Sequence, residues 1–199
     1  MARTAHIKRD TAETAIVLDL TLDGSGRAEI DTGIGFLDHL LTALTKHAAI
    51  DLALQCRGDL EVDDHHTVED CGIVLGSAID QAVGDRVGIV RFGSAYAPLD
   101  EALARAVVDV SGRGSAHVDL SLQRESIGPL ATENIPHFLD SLARNAGITV
   151  HVDVLKGAND HHRAEAAFKA LALALRQALA LTGDDAVPST KGVIAGGGS

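Results

Sequence analysis

Alternating apolar and polar positions over Ala15–Leu22 and Arg27–Asp31 predict two strands around the turn Asp23-Gly24-Ser25-Gly26. Apolar residues at helical spacing over Phe36–Lys46 predict a helix, and Ile50–Cys56 alternates as a strand. A second helix is expected to start near Asp64, a candidate N-cap, and to run towards Gly84. The second half repeats this order. It has strands near Ile89–Ala95, Ala106–Val110 and Ala116–Leu120, a helix over Glu133–Asn145, a strand over Ile148–Leu155 and a long helix over His161–Leu181.

The repeat extends to the residues themselves. His39-Leu40-Leu41-Thr42-Ala43-Leu44-Thr45-Lys46-His47-Ala48-Ala49-Ile50 aligns without a gap to His137-Phe138-Leu139-Asp140-Ser141-Leu142-Ala143-Arg144-Asn145-Ala146-Gly147-Ile148. Asp64-His65-His66-Thr67-Val68-Glu69 likewise matches Asp160-His161-His162-Arg163-Ala164-Glu165. The chain therefore reads as a tandem duplication of a strand-strand-helix-strand-helix unit, with 1–88 and 89–199 as two halves of one compact body. The expected fold class is α+β, two sheets packed on a helical layer. The tail, Ala195-Gly196-Gly197-Gly198-Ser199, is expected to be disordered.

Composition narrows the function. With 199 residues, 46% hydrophobic and 23% charged, the chain is long and apolar enough for a real core, which excludes disordered and low-complexity readings. No apolar run approaches the roughly 20 residues of a membrane span. The first residues, Met1 to Asp10, lack the apolar core of a secretory signal, so a cytoplasmic address is expected. A formal net charge of −11 and only 3% aromatic residues argue against nucleic acid as a partner. Cys56 and Cys71 form no CxxC pair and read as buried, reduced thiols. Histidine is the outlier, with ten residues and two HH pairs in acidic settings.

A single D-H-H-x-x-E on a helix is compatible with an ordinary polar face. Two copies at matching positions, each preceded by a His 26 or 24 residues upstream, point to a metal site. Glu69 lies three and four residues from the two imidazoles and shares their face. Consecutive helical residues diverge by about 100°, so adjacent imidazoles each reach a different ion. His39, His65, His66, Glu69, His137, His161, His162 and Glu165 supply enough ligands for two ions with four each. The repeat favours a cross-over arrangement, with His39, His66, Glu69 and His162 on one ion and His137, His161, Glu165 and His65 on the other. Nitrogen and carboxylate ligands without thiolate suit Mn(II), Fe(II), Co(II) or Zn(II) and leave open positions for catalysis. Asp64 and Asp160 read as caps or partners of the ligands. His6, His47, His117 and His151 have no histidine counterpart in the repeat and read as surface or core residues.

The segments Gly33-Ile34-Gly35-Phe36-Leu37-Asp38-His39, Asp64 to Asp70 and Asn159 to Glu165 resemble the imidazoleglycerol-phosphate dehydratase family. So do Arg9-Asp10-Thr11-Ala12-Glu13-Thr14 and Pro188-Ser189-Thr190-Lys191-Gly192, and the resemblance spans nearly the whole chain. It implies a fold of the ribosomal protein S5 domain 2 type and dehydration of D-erythro-imidazoleglycerol phosphate to imidazole-acetol phosphate in histidine biosynthesis. It also implies two Mn(II) per site, and a homo-24-mer with sites at subunit interfaces. On this resemblance Glu13 is the acid/base, and Glu13, Arg91, Arg113, Lys169, Ser189, Thr190 and Lys191 bind the substrate, with 188–192 closing over its phosphate.

Two other classes share the histidine pattern. A dinuclear hydrolase also uses clustered His and carboxylates, but it releases phosphate, whereas a dehydratase keeps it on the product. A metal-storage protein leaves Glu13, Arg113 and Lys191 without a role.

Overall fold

Every second residue of the second strand, Ile16, Leu18 and Leu20, is buried while its neighbours face outwards, so one sheet face must be covered by helices. The computed structural model describes residues 3–194. The first half runs β1 (Thr4–Asp10), β2 (Thr14–Thr21), β3 (Ala28–Asp31), α1 (Gly35–Ala48), β4 (Asp51–Gly58) and α2 (His65–Val83). The second runs β5 (Phe92–Leu99), β6 (Ala102–Asp109), β7 (Ser115–Asp119), β8 (Ser126–Ile127), β9 (Leu130–Ala131), α3 (Asn134–Ala146), β10 (Thr149–Lys156) and α4 (Asp160–Ala178). The sheets have the same strand order, β1-β2-β4-β3 and β5-β6-β10-β7, each with an antiparallel hairpin and a parallel edge strand.

The architecture is the expected α+β duplication, with one strand more in each four-stranded sheet than the strand-strand-helix-strand-helix pattern and a two-stranded β8–β9 ribbon added in the second half. β1 is an edge strand in which only Ala5 is buried, so its sequence carries little alternation. The two-residue strands β8 and β9 are too short for a period to register. The tail 195–199, expected to be disordered, lies outside the described residues. Cys56 and Cys71 are free and buried, as expected. Among the described residues no helix is long and apolar enough to cross a membrane.

The helices pair across the halves. α2 lies on the first sheet and packs against α3, while α4 lies on the second sheet and packs against α1. Small residues permit close packing of α4 on its sheet and of α2 on α3. Alanines at 164, 166, 167, 170, 172, 174 and 178 bury α4 close to its sheet. At the other contact, a Cβ on Gly72 would meet the Phe138 carbonyl oxygen at 2.8 Å. A Cβ on Gly76 would run into the Leu142 carbonyl oxygen and would meet the Asn145 Cβ at 2.9 Å. Gly76→Val should therefore destabilise the fold by about 1–3 kcal/mol through overpacking, although removing a helical glycine alone gains under about 1 kcal/mol. Urea unfolding of the metal-free protein checks this; an unchanged midpoint would show that the helices separate without cost.

Candidate metal centre

The turn into α1 is set by Gly33, whose φ of +82° is readily adopted only by glycine, and by Asp38, whose Oδ1 accepts from the Thr32 N–H (2.9 Å) and hydroxyl (2.6 Å). His39 follows directly and projects towards α4. There the Asn159 side chain caps the helix by accepting from the His161 N–H at 2.9 Å. Oε2 of Glu165 lies 2.9 Å from His39 Nε2 and 3.3 Å from His161 Nε2. Lys169 Nζ holds the other oxygen at 2.7 Å, and Phe36 packs on the His161 ring at 4.9 Å. Burial pushes the Glu165 carboxyl up, but Lys169 and His39 outweigh it and hold its pKa at about 2, so the group is anionic.

The second cluster repeats the first. His137 Nε2 and His65 Nε2 lie 3.3 and 3.8 Å from the two oxygens of Glu69, and the rings stack at 4.8 Å. Asn134 Oδ1 stands 3.1 Å from His65 Nδ1, which fixes that ring with its Nε2 inwards. His137 Nε2 is buried and makes no hydrogen bond. Such an atom costs free energy unless another group satisfies it, and a cation does so. In each cluster the three ligand atoms all lie within 4.8 Å of one another. Ligands about 2.1 Å from one ion stand roughly 3–4 Å apart, so both triads fit a divalent transition metal after small side-chain adjustment.

The triads correct the expected partition. His39 stands with His161 and Glu165, not with His66, Glu69 and His162; His65 and His137 stand with Glu69, not with Glu165 and His161. The cause is helix pairing: α1 faces α4 and α3 faces α2, so each upstream His meets the HH motif of the other half. Glu69 faces His65 and not both imidazoles, because adjacent helical side chains point about 100° apart; the ring planes stand at 80° for His65/His66 and 90° for His161/His162.

His66 and His162 lie outside both triads. Asp59 lies 3.0 Å from His66 Nδ1 and Glu101 2.7 Å from His162 Nδ1. Carboxylates only accept, so both rings carry a proton on Nδ1, and in the neutral ring the lone pair is then on Nε2. These hydrogen bonds raise the pKa of both imidazoles against the opposing effect of burial. Glu13, on the β1–β2 turn, has Oε1 3.7 Å from His66 Nε2 and a half-exposed side chain. Its turn is locked to α2 by Asp70, which takes hydrogen bonds from Arg9 (2.8 Å) and from the Thr14 hydroxyl. The Glu13 carbonyl also accepts from the Asp59 N–H at 3.1 Å.

Asp64 and Asp160 make no cap hydrogen bond; each ties a loop instead, Asp64 through Ala131 N–H and Asp160 through Gln123 and Arg124 N–H. Of the expected substrate cations, only Lys169 touches a triad. Arg91 is bound to Asp109 and to the Pro188 carbonyl at 2.7 Å, which docks the segment carrying Ser189, Thr190 and Lys191. Arg113 follows β6 at the same end of the second sheet. Eight strand residues at about 3.3 Å each separate that end from Glu101 and His162, roughly 26 Å. One chain therefore does not bring the 188–191 segment to its own α4 triad. His117 and His151 are exposed and stack at 4.5 Å on neighbouring strands, and His6 pairs with Asp19. Asp59, Asn134 and Glu101 were not indicated by the ligand pattern; continuing the repeat into the hairpins would have set Glu101 opposite Glu13.

Residues 32–175 match the family model for imidazoleglycerol-phosphate dehydratase. Among curated relatives, imidazoleglycerol-phosphate dehydratase of Candida glabrata is 57% identical over 96% of this chain and 100% of its own length. That of Torulaspora delbrueckii is 60% identical over 96% of this chain and 98% of its own. That of Phytophthora nicotianae is 58% identical over 97% of this chain, which spans 43% of that longer relative. Solved structures of the enzyme from Staphylococcus aureus and Pyrococcus furiosus superpose with TM-scores of 0.79 and 0.80 at 38% and 37% identity. They cover 90% and 94% of this chain and 99% of each of theirs. The chain belongs to the imidazoleglycerol-phosphate dehydratase family.

Proposed function

We propose that this chain dehydrates D-erythro-imidazoleglycerol phosphate to imidazole-acetol phosphate, using two divalent transition-metal ions, with Mn(II) first among the candidates. The observation that carries the reading is the pair of His-His-Glu triads with converging Nε2 and carboxylate oxygens, one nitrogen buried without a partner. His39, His161 and Glu165 would hold one ion and His65, Glu69 and His137 the other, with His66 and His162 completing the sets from neighbouring chains. The placing of these two rings outside both triads, and the separation of Arg91, Arg113 and Ser189 to Lys191 from the α4 triad, support a site shared between subunits, as in a homo-24-mer. A cytoplasmic location accords with such a biosynthetic role.

Ions held by the two triads would supply positive charge to stabilise an imidazolate form of the substrate ring. With that charge in place, the ring electrons would expel the hydroxyl on the adjacent carbon as hydroxide, which leaves the next C–H acidic. Glu13 is the group that moves the proton. It is half-exposed, tethered by the Arg9–Asp70–Thr14 contacts, and beside His66. Lys169 holds Glu165 as an anion, and the other cations bind phosphate.

Metal-stripped protein should give no ketone product from imidazoleglycerol phosphate and regain turnover with Mn(II). Absence of product from folded, metal-loaded protein would remove the assignment. Glu13→Gln should keep both ions and lose about 100- to 10,000-fold in kcat; a near-normal rate would take Glu13 out of the proton transfer. His66→Ala should lose one ion and most turnover, as metal analysis and the same assay would show.

A further inference from the structure

Glu13 and Glu101 occupy equivalent places in the two halves, each the last residue before the second strand of its hairpin. Each faces the outward histidine of its half, His66 and His162. Their contacts differ. Glu13 keeps its carboxylate half-exposed and 3.7 Å from Nε2 of His66. Glu101 spends both oxygens: Oε1 accepts from the N–H groups of Ala158 (3.1 Å) and Asn159 (2.9 Å), and Oε2 takes the His162 Nδ1–H at 2.7 Å.

We propose that Glu101 is a positioning residue for metal binding: it fixes the His162 ring as the Nδ1–H tautomer, with Nε2 free to ligate, and registers that ring against the turn leading into α4. The duplication has thus divided one hairpin carboxylate into two duties, an unbonded group in the first half and an anchoring group in the second. In the first half, Asp59 takes the anchoring contact to Nδ1, which leaves Glu13 unengaged by the ring nitrogen that needs an acceptor. The proposal rests on His162 being a metal ligand.

Glutamine at this position separates tautomer control from loop anchoring. Its one carbonyl oxygen can stay on the two backbone N–H groups, but its NH2 then faces Nδ1 and favours the Nε2–H tautomer, which has no lone pair for a metal. Mn(II) affinity of the metal-free protein, measured by chelator competition, should fall about 10- to 100-fold for one of the two ions in Glu101→Gln. The unfolding midpoint of the metal-free protein should be unchanged, and Glu101→Asp should restore part of the affinity. In a His162→Ala background the Glu101→Gln change should have no further effect on Mn(II) affinity. Parental affinity for both ions in Glu101→Gln overturns the proposal. So does a loss that persists without His162, or one matched by lower metal-free stability, since either assigns Glu101 to the loop alone. A parent protein that takes up no Mn(II) overturns the underlying metal reading, and this inference with it.

Discussion

The packing of each half's helices on those of the other half is the constraint from which the site follows. α1 lies on α4 and α2 on α3, so each triad draws one histidine from one half and a histidine and glutamate from the other. Neither half alone can assemble a triad. The close approach of α2 and α3 is written in small residues, Gly72 and Gly76. Their role is geometric: a wider helix separation would move ligand atoms that now stand within 4.8 Å of one another out of reach of a single ion.

The second constraint is the helical repeat. Because adjacent residues rotate by about 100°, an HH pair at a helix start cannot aim both rings at one place. His65 and His161 turn inwards to Glu69 and Glu165, and His66 and His162 turn to hairpin and loop carboxylates. The same rotation that denies the chain a fourth ligand per triad leaves two half-buried imidazoles oriented by their carboxylates outside the triads. Self-assembly and metal binding are then one event on the proposed reading, since each would supply what the other lacks.

The sequence made the duplication legible, and with it the six histidines and two glutamates, because identical residues recur at matched positions. It did not make their grouping legible. Spacing within a chain says which residues share a helix face, but not which helix lies opposite, and that choice decides whether His39 meets Glu69 or Glu165. Asn134 was hidden for another reason. Its counterpart in the repeat is Phe36, so a comparison built on identity passes over it, although both side chains steady the first histidine of an HH pair. β1 was missed because an edge strand with a single buried residue has no period to read.

Those non-identical positions are where the two sites become different. Both triads have the same ligand types, yet their surroundings diverge one contact out. Phe36 packs against His161 where Asn134 accepts a hydrogen bond from His65. Lys169 pairs with Glu165, whereas the matching position after Glu69 is Ile73, which brings no charge. Glu101 is bound on both oxygens where Glu13 is half-exposed. A cation at the Glu165 triad would meet repulsion from Lys169, whereas Ile73 brings no charge to the Glu69 triad, so the two triads offer a cation unequal surroundings. Duplication supplied two similar triads; substitutions around them, and not in them, set their surroundings apart.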